Sequence, residues 1–417
     1  MQTPAAVASA APVAAAAADP PLVRLLPGRD RRAKAGHPWA FSNEVAMTPA
    51  VKAIPPGTPV RLEGDDGVRH GLWHFNPHSL IAARRLARDP AAVPDAAFWR
   101  ARLAEAHALR ERLFPGTPHH RLAHAEADGL PGLVLDRYGD VVALSANTAG
   151  MEAATPAILD ALRDLLPGLR AVVARNDSPV RALEGLPESV RLLHGTEADA
   201  AAAATVEEGG VAFAVDPLGG QKTGWFHDQR ENRARVAALA RGLTVLDAFA
   251  HTGGFGLQAA RAGATRVTLL DRSEAALATA ADTAARNGLS PRVGAIRAEA
   301  LEWIERAAGE GRTRFGVVVA DPPAFAKAAK DKPAALRAYA KLARHAAALV
   351  EPGGFLFLAS CSHHVGAPDF AEAVAEGLRR ARREARVLAA TGAGPDHPVH
   401  PMLPESAYLK ALTLHLP

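Results

Sequence analysis

The chain is poor in cysteine and in long apolar runs. Cys361 is the one cysteine among 417 residues, which excludes an intrachain disulfide and a cysteine-based zinc cluster. This composition predicts a reducing, cytoplasmic setting and no metal. No run is long and apolar enough for a membrane-spanning helix, so no membrane partner is expected. The first twenty residues are alanine interrupted by proline and lack a basic start, so residues 1–20 are expected to be a disordered tail and not a secretion signal. Also missing is the dinucleotide fingerprint G-x-G-x-x-G.

What remains is a mildly basic chain with net charge +4, long enough for two or three domains. Most of its cations are arginine, which suits phosphate and base contacts, although a GC-rich genome gives the same bias.

The stretch from Leu243 to Asp271 organises the rest. Thr244–Ala250 reads as an apolar strand, His251–Gly254 as a glycine loop, Phe255–Ala262 as a helix, and Arg266–Leu270 as a second strand ending at Asp271. Glycines let backbone approach a ligand at a helix N-terminus. An acid ending the next strand can accept both hydroxyls of a ribose. Here the glycines fall at Gly253, Gly254 and Gly256, a spacing poorly suited to pyrophosphate. Asp247 near the first strand tip would repel phosphate but suits an ammonium or sulfonium. The stretch therefore points to S-adenosylmethionine and away from a dinucleotide oxidoreductase.

Around it the chain divides into regions. Residues 21–95 read as a β-rich module, with strands at Leu22–Leu26, Val60–Glu63, Gly71–Phe75 and Ser79–Leu86 and a hairpin turn at Asp65-Asp66-Gly67. Its basic residues Arg29, Arg31, Arg32 and His37, interleaved with Trp39, are candidates for RNA contact; a solvated basic face over core aromatics would look the same. Residues 96–205 mix helices at Phe98–Leu113 and Thr155–Leu166 with a turn leading into a strand over Ala125–Asp136 and further strands at Val141–Leu144 and Ala171–Ala174. The alanine-rich Glu197–Ala204 reads as a linker. Residues 206–417 alternate strands and helices, which predicts a mostly parallel α/β sheet.

Ligands of such sheets bind beyond the carboxyl ends of the strands. Asp247, Asp271, Asp321 and Cys361 fall at those ends. Asp321-Pro322-Pro323 is a stiff turn that can present a carboxylate to the amine edge of a base. Cys361 is flanked by Ser360, Ser362, His363 and His364, polar company that a core cysteine does not need. A thiolate opposite a sulfonium methyl suggests cytosine chemistry: its addition to carbon 6 makes carbon 5 nucleophilic, and the base must be flipped out or unpaired.

These residues carry a resemblance. Residues 21–417 resemble the bacterial 23S ribosomal RNA 5-methylcytosine methyltransferase family of the RlmI type. The matching stretches are Pro27–Ser42, Glu126–Tyr138, Gly219–Arg233, Asp247–Phe255, Asp321–Phe325, Ser360–His364, His397-Pro398 and Tyr408-Leu409-Lys410. The resemblance implies an N-terminal PUA domain, a central α+β domain and a C-terminal class I, Rossmann-like methyltransferase domain acting on RNA, with a homodimer admitted. It implies a cofactor site formed by Asp247, Phe249, Thr252, Gly253, Gly254, Asp271, Ser273, Asp321 and Pro322, with Gln221, Phe226, Gln229 and Arg230 of the lead-in segment nearby, and Cys361 and Asp321 as catalytic residues. Glu299 stands where such domains often use Asp for the adenine amine. No second cysteine lies at the Asp-Pro-Pro turn to help product release. Two other functions fit the same scaffold: an amino-group methyltransferase on guanine or adenine, and an inactive RNA-binding protein.

Overall fold

The computed structural model describes residues 19–202, 205–220 and 223–417. Most of the expected tail, Ala203 and Ala204 of the expected linker, and Gln221 of the lead-in segment lie outside these residues.

The N-terminal module is a five-stranded sheet in the order Leu22–Arg24, Thr58–Glu63, Arg69–Phe75, Ala83–Ala87 and Trp39–Ala40. The hairpin around Asp66-Gly67 forms as expected. The last long strand starts at Ala83, later than Ser79, because Ser79 faces inward to bond Glu184 of the central domain (3.1 Å).

The central domain has a second five-stranded sheet, in the order Ser189–His194, Ala171–Asn176, Val141–Ala146, Leu133–Tyr138 and His119–His124. Its two outer strands escape the sequence pattern. His119–His124 has no β-branched residue, the usual strand signal, yet it pairs along its length with Leu133–Tyr138. The helix expected from Thr155 begins at Ala149, capped by the Thr148 hydroxyl, and continues through Pro156; the proline hid its first turns. The expected linker is instead a helix over Glu197–Ala202, with Ala200 fully buried. A hairpin follows, Thr205–Glu208 with Val211–Ala214, turned by Gly209-Gly210 at φ 59° and 74°, values that suit glycine.

The C-terminal domain is a seven-stranded sheet. Numbered within this domain, its strands are β1 (Thr244–Ala248), β2 (Arg266–Asp271), β3 (Val293–Arg297), β4 (Phe315–Ala320), β5 (Val350–Ser360), β6 (Arg386–Thr391) and β7 (Lys410–Leu416). Their spatial order is β3-β2-β1-β4-β5-β7-β6. All pairs are parallel except those made by β7. The order reverses between β1 and β4, which opens a crevice above their carboxyl ends. Buried apolar cores cover both faces of this sheet, so β1 and β4 read as continuous apolar runs.

Candidate functional site

The loop after β1 is the most strained segment of the site. Phe249 and His251 take left-handed φ values of 62° and 49° without being glycine, a cost of roughly 1–3 kcal/mol each that the surroundings must impose. Gly253 follows at φ 80°. A Cβ on Gly256 would lie 2.4 Å from Leu269 and 2.8 Å from Val267, so only glycine lets this helix lie so close to β2. Asp271 grips the loop from the next tip: its Oδ2 accepts the His251 N–H and its Oδ1 the Ser273 N–H, both at 2.8 Å. Ser273 caps the following helix (3.2 Å to Ala276 N).

Asp247 is buried beneath this loop and accepts the Gly256 N–H at 2.8 Å. Burial pushes its carboxyl up to about 7, against that hydrogen bond, and the neighbouring Asp321 and Asp271 push the same way. Three carboxylates at adjacent strand tips, one fully desolvated, make a well for a cation. This donor set fits a nucleoside carrying a positively charged amino-acid tail. Glu299, by contrast, is an exposed helix N-cap 3.7 Å from Arg272.

The lead-in segment reaches both sides of the crevice. Phe226 packs edge-on against His251 (5.7 Å). Gln229 donates to Asp321 Oδ2 (2.8 Å) and accepts from Asn232 (2.6 Å), whose own amide oxygen accepts from Thr391 (2.7 Å). Asp321 is thus oriented by a chain of polar groups running to β6. Arg230 points elsewhere: its guanidinium donates to the His119 carbonyl and lies 4.9 Å over the Phe114 ring, which makes it a bridge to the central domain.

Cys361 directly follows β5 and is half-buried. Strand alternation separates it from its neighbours. Ser360 and Ser362 are fully buried and bond the Tyr339 hydroxyl (2.8 and 2.9 Å), and Ser362 Oγ accepts the Ala326 N–H (3.2 Å). This cluster ties the cysteine turn to the Asp-Pro-Pro loop. The sulfur joins the opposite face, with Tyr408 packed against the same core. His363 stacks on Tyr408 (5.3 Å), whose hydroxyl donates to Asp228 (2.6 Å). Tyr408 and Lys410 belong to a matching motif at the start of a strand legible from the sequence; the pairing that carries β7 past Cys361 could not be read from spacing.

The N-terminal candidates divide. Arg29, Arg31 and Arg32 are exposed, with Arg32 resting on Phe41 (4.9 Å). Trp39 is committed internally: its indole donates to Glu126 (2.7 Å), which also holds Arg84 (2.9 Å). His37 takes the Trp39 N–H (3.1 Å).

Among the described residues two groups of metal-ligand type gather, His107–Glu111–His120 and Asp30–Asp65–Asp66. A protein cation already stands at each. Arg137 is 3.6 Å from Glu111, and Lys34 bridges Asp30 and Asp66 at 2.6 and 2.8 Å.

Comparison with known proteins defines the class first. A family model described as S-adenosylmethionine-dependent methyltransferase matches residues 152–415, and one described as PUA-like domain matches residues 23–88. A protein described as a SAM-dependent methyltransferase from Streptococcus mutans shares the fold, with TM-score 0.78 at 19% identity over 95% of this chain and 100% of its own. Ribosomal RNA large subunit methyltransferase I of Shewanella denitrificans is 37% identical over 94% of this chain and 98% of its own, and that of Aliivibrio fischeri 34% identical over 93% and 97%. The chain belongs to the S-adenosylmethionine-dependent methyltransferase family and, within it, to the group of these ribosomal RNA large subunit methyltransferases. Its cofactor is S-adenosylmethionine.

Proposed function

We propose that this protein methylates carbon 5 of an unpaired cytosine in large-subunit ribosomal RNA, with Cys361 as the nucleophile. The observation that carries the reading is the placement of Cys361 beyond the tip of β5, tied by Ser362 to the loop that bears Asp321 at the adjoining tip of β4. The names of the relatives support ribosomal RNA as the substrate.

When bound, S-adenosylmethionine would supply the electrophilic sulfonium methyl that carbon 5 takes, with S-adenosylhomocysteine as the leaving group. The buried Asp247 is placed for the ammonium and Asp271 for the ribose, and the left-handed loop with Gly253, Gly254, Phe249 and Thr252 forms the cradle between them. Ser273, Pro322 and Phe226 close its edges. Cys361 adds to carbon 6 of the cytosine, which pushes an electron pair through the ring and makes carbon 5 nucleophilic. Asp321, held by Gln229, accepts from the N4 amine and shares a proton with N3, which takes up the displaced electron pair and favours that addition. Loss of the carbon 5 proton and departure of the sulfur restore the aromatic ring. The exposed Arg29, Arg31 and Arg32 supply phosphate contacts.

Nucleotide mapping of ribosomal RNA from a deletion strain tests this: one 5-methylcytidine should vanish and return with the wild-type gene. Cys361→Ala should lose more than about 1,000-fold in rate while still binding cofactor. Full activity in that variant would move the reading to an exocyclic amine. Light scattering on the purified protein decides between monomer and homodimer.

A further inference from the structure

Lys410 opens β7, and its register partner on β5 is Ser360, the residue before Cys361. The side chain is 6% exposed and its ammonium turns inward. Nζ donates to the carbonyl of Ser362, the residue after Cys361, and at 2.8 Å to that of Tyr408. The charge is therefore pinned between the backbone just after the cysteine and that of Tyr408. An ammonium has three donors, and the two carbonyls account for two. Neutral carbonyls alone compensate a buried cation poorly. Burial pulls Lys410 down to about 8, and the charge of Cys361 acts in the opposite direction.

We propose that Lys410 is the counter-charge that holds Cys361 as a thiolate, making it a positioning residue for the nucleophile. This rests on the reading of Cys361 given above. The thiol proton leaves to water and Lys410 keeps its own, so the resting pair is thiolate and ammonium. The negative charge moves into the pyrimidine as the S–C6 bond forms and returns to sulfur when that bond breaks. Between these steps the ammonium stays in place, bound to the two carbonyls. Other titratable groups around the sulfur are Tyr339 on the helix Lys332–Ala348, which feels its charge, His363 and His364 along the chain, and Asp321 at the neighbouring tip. Among these described residues, none is a buried cation.

Cys361 is the only cysteine, so its alkylation can be followed on the full-length protein by intact mass. The rate of modification by iodoacetamide against pH reports the thiolate fraction. Wild type should titrate below the free-cysteine value of about 8.5. Lys410→Met should move the midpoint up by about one unit and slow alkylation at pH 7 about tenfold, a difference that about 1.4 kcal/mol of interaction produces. Lys410→Arg should keep the wild-type midpoint. If Lys410→Met does not fold, Lys410→Gln, whose amide can still reach the carbonyls, should show the same upward shift. A Met or Gln variant with the wild-type midpoint overturns the proposal. The measurement uses no RNA, so it stands apart from the Cys361→Ala activity test: a normal shift with an active Cys361→Ala variant would keep the ion pair and sink the carbon 5 chemistry.

Discussion

The strand tips of the C-terminal sheet and the seam between the central and C-terminal domains are held by opposite means. At the tips, backbone does the holding: glycines, left-handed residues and peptide N–H groups aimed at Asp247 and Asp271. Among the described residues, the bonds to Asp247 and Asp271 come from peptide N–H groups, and Asp247 is raised to about 7. At the seam, paired side chains do it. Arg110 forks onto Asp128 (2.6 and 2.8 Å) and reaches the Asp396 carbonyl (2.9 Å). Arg121 forks onto the fully buried Asp136 (2.8 and 2.9 Å), while its N–H bonds Asp396 (3.0 Å). Thr223 of the lead-in segment donates to the same Asp136 (2.5 Å). A binding site keeps its charge unspent for the ligand; a seam neutralises its charge to fix two bodies together.

The strongest way to break this contrast is at the seam. Arg121→Met strands the Asp136 carboxylate in the interior and should cost about 3–5 kcal/mol by urea unfolding. Arg121 holds Asp136 down at about 2 against burial. Because that folded-state value lies below the unfolded one, near 4, the stabilisation is full above pH 4 and fades as pH falls towards 2. The variant should lose this acid limb.

At the tips the sign reverses. Asp247 is raised in the folded state, so its burial costs nothing below pH 4 and the penalty grows as pH rises to about 7. Asp247→Asn should therefore stabilise the cofactor-free protein at pH 8, by on the order of a few kcal/mol, while weakening cofactor binding. In wild type, binding a cationic ligand at pH 6 should release close to one proton, and at pH 8 almost none. Calorimetry in buffers of different ionisation enthalpy reads this directly; no release at pH 6 would separate Asp247 from the ammonium.

Gly256→Ala probes the backbone itself. The added methyl meets Leu269 and Val267 at 2.4 and 2.8 Å, an overpacking cost of about 1–3 kcal/mol, visible as a lower melting temperature and weaker cofactor affinity. The smallest stability change belongs to the exposed arginines. Arg29→Ser with Arg31→Ser should leave stability within about 0.5 kcal/mol and flatten the salt dependence of RNA binding by one to two counterions, following the rough rule of about one per phosphate contact. These substitutions test the N-terminal module better than its removal would, since Glu126 and Glu184 of the central domain hold Trp39, Arg84 and Ser79.

Much of the tip architecture was legible. The sequence from Leu243 to Asp271 is local, and strand, loop and helix follow each other within thirty residues, so periodicity and glycine placement suffice. Asp321 and Cys361 were legible for the same reason, each ending or following an apolar strand. The seam was not. Arg121 carried no local signal, Asp136 entered only as the end of a strand within a matching stretch, and His119–His124 did not read as a strand at all. Arg110 and Asp396 are 286 residues apart, and no local pattern encodes such a pairing. Trp39 was legible as an interesting aromatic but not as a domain fastener, because Glu126 reaches it from another sheet.

By itself the amino-acid sequence determined the alternation of strands and helices in the C-terminal domain, the glycine-dependent loop and the residues at the strand tips around it, because these follow from side-chain periodicity and backbone sterics within a few residues. Only the tertiary structure decided that Asp247 is desolvated, that Gln229 orients Asp321, and that β7 carries Lys410 past Cys361. Those outcomes depend on burial and on pairings between distant segments, and both the dielectric around a charge and its partner exist only once the sheet has closed.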